Sequence, residues 1–79
     1  MQQKTTPQNF QEAQEYGYTC DFVTDYDGRV TSASAPFKSY SIREFRATAI
    51  TELELKRTIY LIITFDGLMG NIIEYWETF

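Results

Sequence analysis

Asp21, Asp25 and Asp27 stand at close spacing just ahead of Gly28 and form the one compact carboxylate group in the chain. Acids so placed before a glycine suggest a calcium loop, where hard oxygen ligands fall at alternate positions and the glycine permits a sharp turn. The ends of the motif do not fit, because its first position would be Val23 and its twelfth, which requires a bidentate Glu, would be Ser34. Asp25 and Asp27 read better as turn formers, since Asp tolerates left-handed backbone and hydrogen-bonds its own turn. The expectation is no metal site and no cofactor site.

Nucleophilic chemistry is also hard to assemble. Activating a Ser or Thr requires a base, and with no His in the chain the base would be Lys or a carboxylate of raised pKa in a closed pocket. Cys20 alternates with Tyr18 and Phe22, which predicts a buried, inert thiol on a strand. Paired acids of a glycosidase type are not marked by any spacing. The residues therefore point away from an enzyme, with a carboxylate-based hydrolase the least supported reading.

Aromatic content points elsewhere. Six Tyr, six Phe and one Trp are more than a 79-residue chain can hide, and Tyr and Trp anchor protein interfaces because they supply large area at small entropic cost. In the last arm Ile73 and Tyr75 share one face while Ile72 and Trp76 share the other, with Glu74 between them. One face must meet the core, and the other is either covered or open to a partner. Asp25, Tyr26, Asp27, Glu74, Tyr75 and Trp76 are accordingly the expected partner-binding residues.

The elements that must position them begin with the most legible, the C-terminal TIYLIITF and NIIEYWETF runs joined by DGLMG. These predict a hairpin over 58–79 turning at 66–70. Tyr18 to Thr24 and Arg29 to Ala35, around the Asp27-Gly28 turn, predict a second hairpin. Thr6 and Pro7, followed by Phe10, Ala13 and Tyr16 at helical spacing and then Gly17, predict a short helix over 7–16. Residues 41–56 are ambiguous. Ser41 with Glu44 has the capping-box spacing, and Ile42, Phe45, Ala49 and Leu53 make a helical stripe; Thr48, Ile50 and Thr51 favour a strand. The helix is preferred. The expected fold is thus α+β, a small antiparallel sheet of two hairpins with one or two helices on one face. The alternative is a mostly β, five-stranded meander with a short N-terminal helix.

Size and charge bound the rest. Seventy-nine residues make a single domain, with residues 1–5 as a flexible lead, and a core of this size leaves about 3–5 kcal/mol of net stability. A lone Cys20 suits a reducing compartment, the first fifteen residues have no apolar run of signal-peptide type, and Ile59–Ile63 is too short to span a bilayer, so a soluble cytoplasmic protein without membrane contact is expected. A net charge of −4 disfavours direct nucleic-acid binding, which needs a basic face. The composition therefore suggests a small domain that binds a heterologous protein target, a nucleic-acid-binding one included, as an inhibitor or modulator of the kind viruses and mobile elements direct at host machinery. The other reading is an assembly subunit that self-associates through its sheet edge, and a weak homodimer is expected from an exposed terminal strand.

Overall fold

The computed structural model describes residues 6–34 and 37–76. In chain order they form α1 (Phe10–Glu15), β1 (Cys20–Thr24), β2 (Val30–Ser32), β3 (Ser39–Tyr40), β4 (Phe45–Glu52), a 3-10 turn (Leu53–Leu55), β5 (Arg57–Thr64) and β6 (Met69–Tyr75). The strands make one six-stranded sheet in the order β3-β2-β1-β6-β5-β4. Two antiparallel meanders, β1-β2-β3 and β4-β5-β6, are joined by a single parallel pair in which Cys20 faces Gly70 and Asp21 faces Asn71.

This corrects the α+β expectation. The chain is mostly β, and one short helix lies against the sheet. The five-stranded meander fails as well, because the described residues form six strands and β1 runs parallel to β6. Residues 45–52 form β4, paired with β5 over an unbroken eight-residue register. The Ser41–Glu44 spacing does its local work without starting a helix: the Glu44 carboxylate accepts from the Ser41 N–H at 2.8 Å, and the Glu44 N–H donates to the Ser41 carbonyl at 2.8 Å. That reciprocal turn aims the chain into a strand, where the β-branched Thr48, Ile50 and Thr51 pack well on a pleated surface.

The core has two parts, one on each face of the second meander. Ile59 and Leu61 of β5 join Ile50, Ile73 and Ala13 beneath α1, whereas Ile62 packs with Phe22, Val30 and Tyr40 of the first meander. Alternate side chains of β5 thus reach opposite cores, which is why its sequence is continuously apolar instead of alternating. Both faces of β6 are also covered, Ile73 from the helix side and Ile72 from the first meander. The expected aromatic face on the terminal strand is therefore absent from the interior of β6, and β6 is a central strand flanked by β1 and β5.

The helix starts later than the Thr6-Pro7 pattern predicts. Asn9 is the N-cap, its side chain accepting the Glu12 N–H at 2.8 Å while Glu12 reaches back to the Gln8 N–H at 2.9 Å. It ends as expected at Gly17, whose φ of 106° lets the Gly17 and Tyr18 amides close back on the Gln14 and Ala13 carbonyls. The first hairpin is shorter than predicted, with β1 beginning at Cys20 and β2 ending at Ser32. The second turns at 65–68, so Gly70 belongs to β6. The predicted flexible lead at 1–5 and the last three residues of the predicted terminal strand lie outside the described residues.

Candidate protein-binding surface

The Asp25–Gly28 turn is built by its first aspartate. Asp25 Oδ1 accepts the N–H groups of Asp27 at 3.0 Å and Arg29 at 3.1 Å, and Gly28 takes a φ of 78°. Asp25 is thereby occupied within the turn, while Tyr26 and Asp27 project into solvent. Glu74, Tyr75 and Trp76 sit at the C-terminal end of β6. Because β1 and β6 run parallel from the Cys20–Gly70 pair, the end of β1 leading into the acidic turn and the end of β6 lie at the same end of the sheet. Parallel pairing brings together two residue groups that lie about fifty positions apart in the chain.

Between them the sheet curves around an apolar hollow of about 260 Å³. Val30, Tyr60, Ile62 and Ile72 line it, with Phe45 and Ala47 on the β4 side. Thr24, Gly28 and Glu74 also border it. The Tyr60 hydroxyl donates to Glu74 at 3.3 Å, and the neighbouring carboxylate charge, with some burial, raises the phenol above its ordinary pKa. The six expected residues do not play equal parts. Tyr26, Asp27, Glu74 and Tyr75 are exposed, Asp25 shapes its turn, and Trp76 is half-buried, its indole N–H donating to Thr58 at 3.2 Å.

Tyr75 is held from below by a network that sequence reasoning missed. The Arg57 guanidinium lies 5.4 Å from the centre of the Phe10 ring and 6.0 Å from that of Tyr75, and donates to the Tyr75 hydroxyl at 3.3 Å. Arg57 also pairs with Glu52, and both side chains are largely buried. The second Glu52 oxygen accepts the Phe10 N–H at 2.9 Å, tying the first turn of α1 to the β4–β5 hairpin. That amide, followed by Arg57, holds the Glu52 carboxyl below its ordinary value; Glu52 in turn raises Arg57. The signal was an oppositely charged pair flanking a hairpin, at positions where the helix reading hid the hairpin.

A second polar cluster surrounds Asp66 at the opposite end of the β5–β6 hairpin. Its carboxylate accepts from Thr64 and from the Tyr40 hydroxyl at 3.1 Å, with Lys38 at 3.5 Å. The Thr64 hydrogen bond first, then that of Tyr40, hold Asp66 below its ordinary value, which makes it a poor base near neutral pH. Cys20 borders the adjacent hollow, but burial and the charge of Asp21 push its thiol up and away from the reactive thiolate. Among the described residues no group of three His, Cys, Asp or Glu could hold a metal ion, and no helix is long and apolar enough to cross a membrane.

These shifts predict the pH profile of stability. Glu52 and Asp66 are depressed in the folded state, so their contributions are present above the ordinary values of 4.5 and 3.8 and are lost as the pH falls through the lower folded values. Tyr40 is raised from its ordinary 10.0, by burial first, so its contribution holds below that value and is lost at more alkaline pH. Thermal melts should therefore show a plateau between these limits and fall on both sides. Glu52→Gln should flatten the acid limb, and an unchanged limb would remove the Glu52 network from the acid response. Comparison with protein-family models, curated proteins and solved structures gives no match, and the reading of this surface rests on its own geometry.

Proposed function

We propose that the chain is a small non-catalytic protein-binding domain, an inhibitor or modulator of a larger protein, acting through the end of the sheet where the Asp25–Gly28 turn meets Glu74–Trp76. The observation that carries this reading is the parallel β1–β6 pair, which brings the Asp25–Gly28 turn and Glu74–Trp76 to one end of the sheet. There Gly28 and Glu74 border the apolar hollow, Tyr26 and Asp27 are exposed on the turn, and Tyr75 is exposed on the helix-side face. An apolar depression bordered by the Glu74 carboxylate, with exposed tyrosines and Asp27 at the same end of the sheet, has the makeup of an interface with an apolar centre and a charged border. The rim suits a basic target surface, and a nucleic-acid-binding protein offers one. Absence of catalysis is supported by the occupied, ionised state of Asp66 and Glu52 and the raised thiol of Cys20. The reading includes a cytoplasmic setting, with which a single free cysteine is compatible.

The test replaces Tyr26 with a photo-crosslinking residue, identifies the protein it captures in cells, and then measures that partner's affinity directly. Tyr26→Ala and Tyr75→Ala should each weaken binding by about tenfold or more, the span of a modest interface anchor. Asp27→Asn should slow association, most strongly at low salt, with little effect on dissociation. Unchanged affinity in both tyrosine variants, with the fold intact, would refute the assignment of this surface.

A further inference from the structure

The two edges of the sheet are protected very differently. β3 is only two residues long, whereas β4 presents eight residues in unbroken register, with no proline and no bulge. Short strands, prolines, bulges and charges are the usual means of blocking an edge, and β4 has little of this beyond Arg46 and the terminal Glu52, which is turned to Arg57. The Phe65 N–H donates to the Glu44 carbonyl at 2.8 Å, which fixes the alternation: even-numbered residues of β4 direct their backbone groups at β5, and odd-numbered ones direct theirs outward. Phe45, Ala47, Ala49 and Thr51 therefore offer the free ladder. Ala47 and Ala49 are exposed and too small to obstruct an approaching strand.

We propose that β4 pairs antiparallel with β4 of a second copy of this chain, about a two-fold axis at Ala49, joining the two sheets into one. This register matches outward-directed residues, Ala49 with Ala49 and Ala47 with Thr51. It also sets Thr48 opposite Ile50, and Arg46 opposite Glu52 at both ends of the ladder, where the Arg46 guanidinium would join Arg57 and the Phe10 N–H on a carboxylate with acceptor sites remaining. Moving the axis to Thr48 instead would place Glu44 opposite Glu52 and remove the complementary pair. Glu44 and Glu54, which the Ala49 register would oppose, lie outside the strand in the 41–44 turn and the 3-10 turn. Charge complementarity thus favours a second copy, and the register centred on Ala49 over the one centred on Thr48. The pairing differs from the self-association expected of the terminal strand, since β6 is enclosed between β1 and β5. It goes beyond the proposed target surface and stands or falls separately from it.

Analytical ultracentrifugation of the full chain from about 10 μM to about 1 mM, the span of weak association, should show the mass rise from 9.3 kDa toward twice that value. Amide exchange at Ala47 and Ala49 should slow over the same range. Ala49→Pro removes an outward N–H and no internal ladder bond, and Ala49→Lys opposes two like charges at the axis; each should raise the dissociation constant at least about tenfold while preserving the cooperative melt. The two substitutions act by different means, so loss of folding in one leaves the other decisive. A monomeric mass at every concentration would overturn the proposal, as would a dimer that survives a folded variant. Protection of both amides in a monomer would also overturn it, by showing that the edge is covered from within the chain.

Discussion

Gly70→Ala is expected to lower the melting temperature by more than about 10 °C. A Cβ at this position would overlap the Cys20 carbonyl oxygen and the ring of Phe22. Neither obstacle moves freely. Cys20 is the residue that faces Gly70 in the parallel pair, and Phe22 is buried in the core formed with Val30, Tyr40 and Ile62. Forcing an extra carbon into a packed interior costs about 1–3 kcal/mol and more where backbone must shift. In a domain of this size each kcal/mol corresponds to about 4–8 °C. Phe22→Leu in the same chain should give at most partial rescue, because the backbone clash with Cys20 remains. A Gly70→Ala protein that melts within about 3 °C of the parent would show that β1 and β6 do not approach this closely.

The same residue shows where sequence reasoning reached its limit. In the DGLMG run Gly70 read as turn chemistry, yet a strand-interior glycine is also a marker of close backbone approach, and that is its role here. The C-terminal hairpin was legible because its pairing is local and its residues are strongly β-forming. The segment 41–56 was not, because its stripe of Ile42, Phe45, Ala49 and Leu53 satisfies helical spacing while its pairing with β5 is decided by tertiary contact. Ile42 and Leu53 prove exposed beyond the two ends of β4, and the buried residue between them is Ile50, which the stripe omits. Tertiary pairing overrode a weak local preference.

The candidate surface was legible in parts and illegible as a whole. An acidic turn with a tyrosine and an aromatic terminal arm each stood out by composition. Their meeting depends on β1 lying parallel to β6, a contact between chain segments separated by the whole of two meanders, and no local periodicity encodes such a pair. The strand alternation separated Ile72 from Ile73 correctly, but whether a partner or the protein itself covers each face depends on the sheet's curl. The Glu52–Arg57 network was hidden for the same reason, since it assembles only when β4 and β5 pair and α1 docks upon them.

Deleting residues 74–79 should cost about 3–5 kcal/mol, comparable with truncating one large aromatic in a core. The cut removes the Thr58–Glu74 and Arg57–Tyr75 pairs, the Trp76 N–H bond to the Lys56 carbonyl and the indole bond to Thr58. It also leaves Arg57 without the Tyr75 ring and hydroxyl, although Glu52 and Phe10 still hold it. Against this, Gly70 to Ile73 remain, so the parallel pair and both faces of the core persist. A core of this size leaves about 3–5 kcal/mol of net stability, so the loss takes most or all of it. Urea unfolding of the truncated chain should therefore show a midpoint at or near zero denaturant. Trp76→Phe separates the contributions, because it removes the bond to Thr58 while retaining most of the ring contact, and should cost about 1 kcal/mol. A truncated chain whose midpoint matches that of the full protein would mean that the end of β6 adds nothing to the fold and serves only the surface.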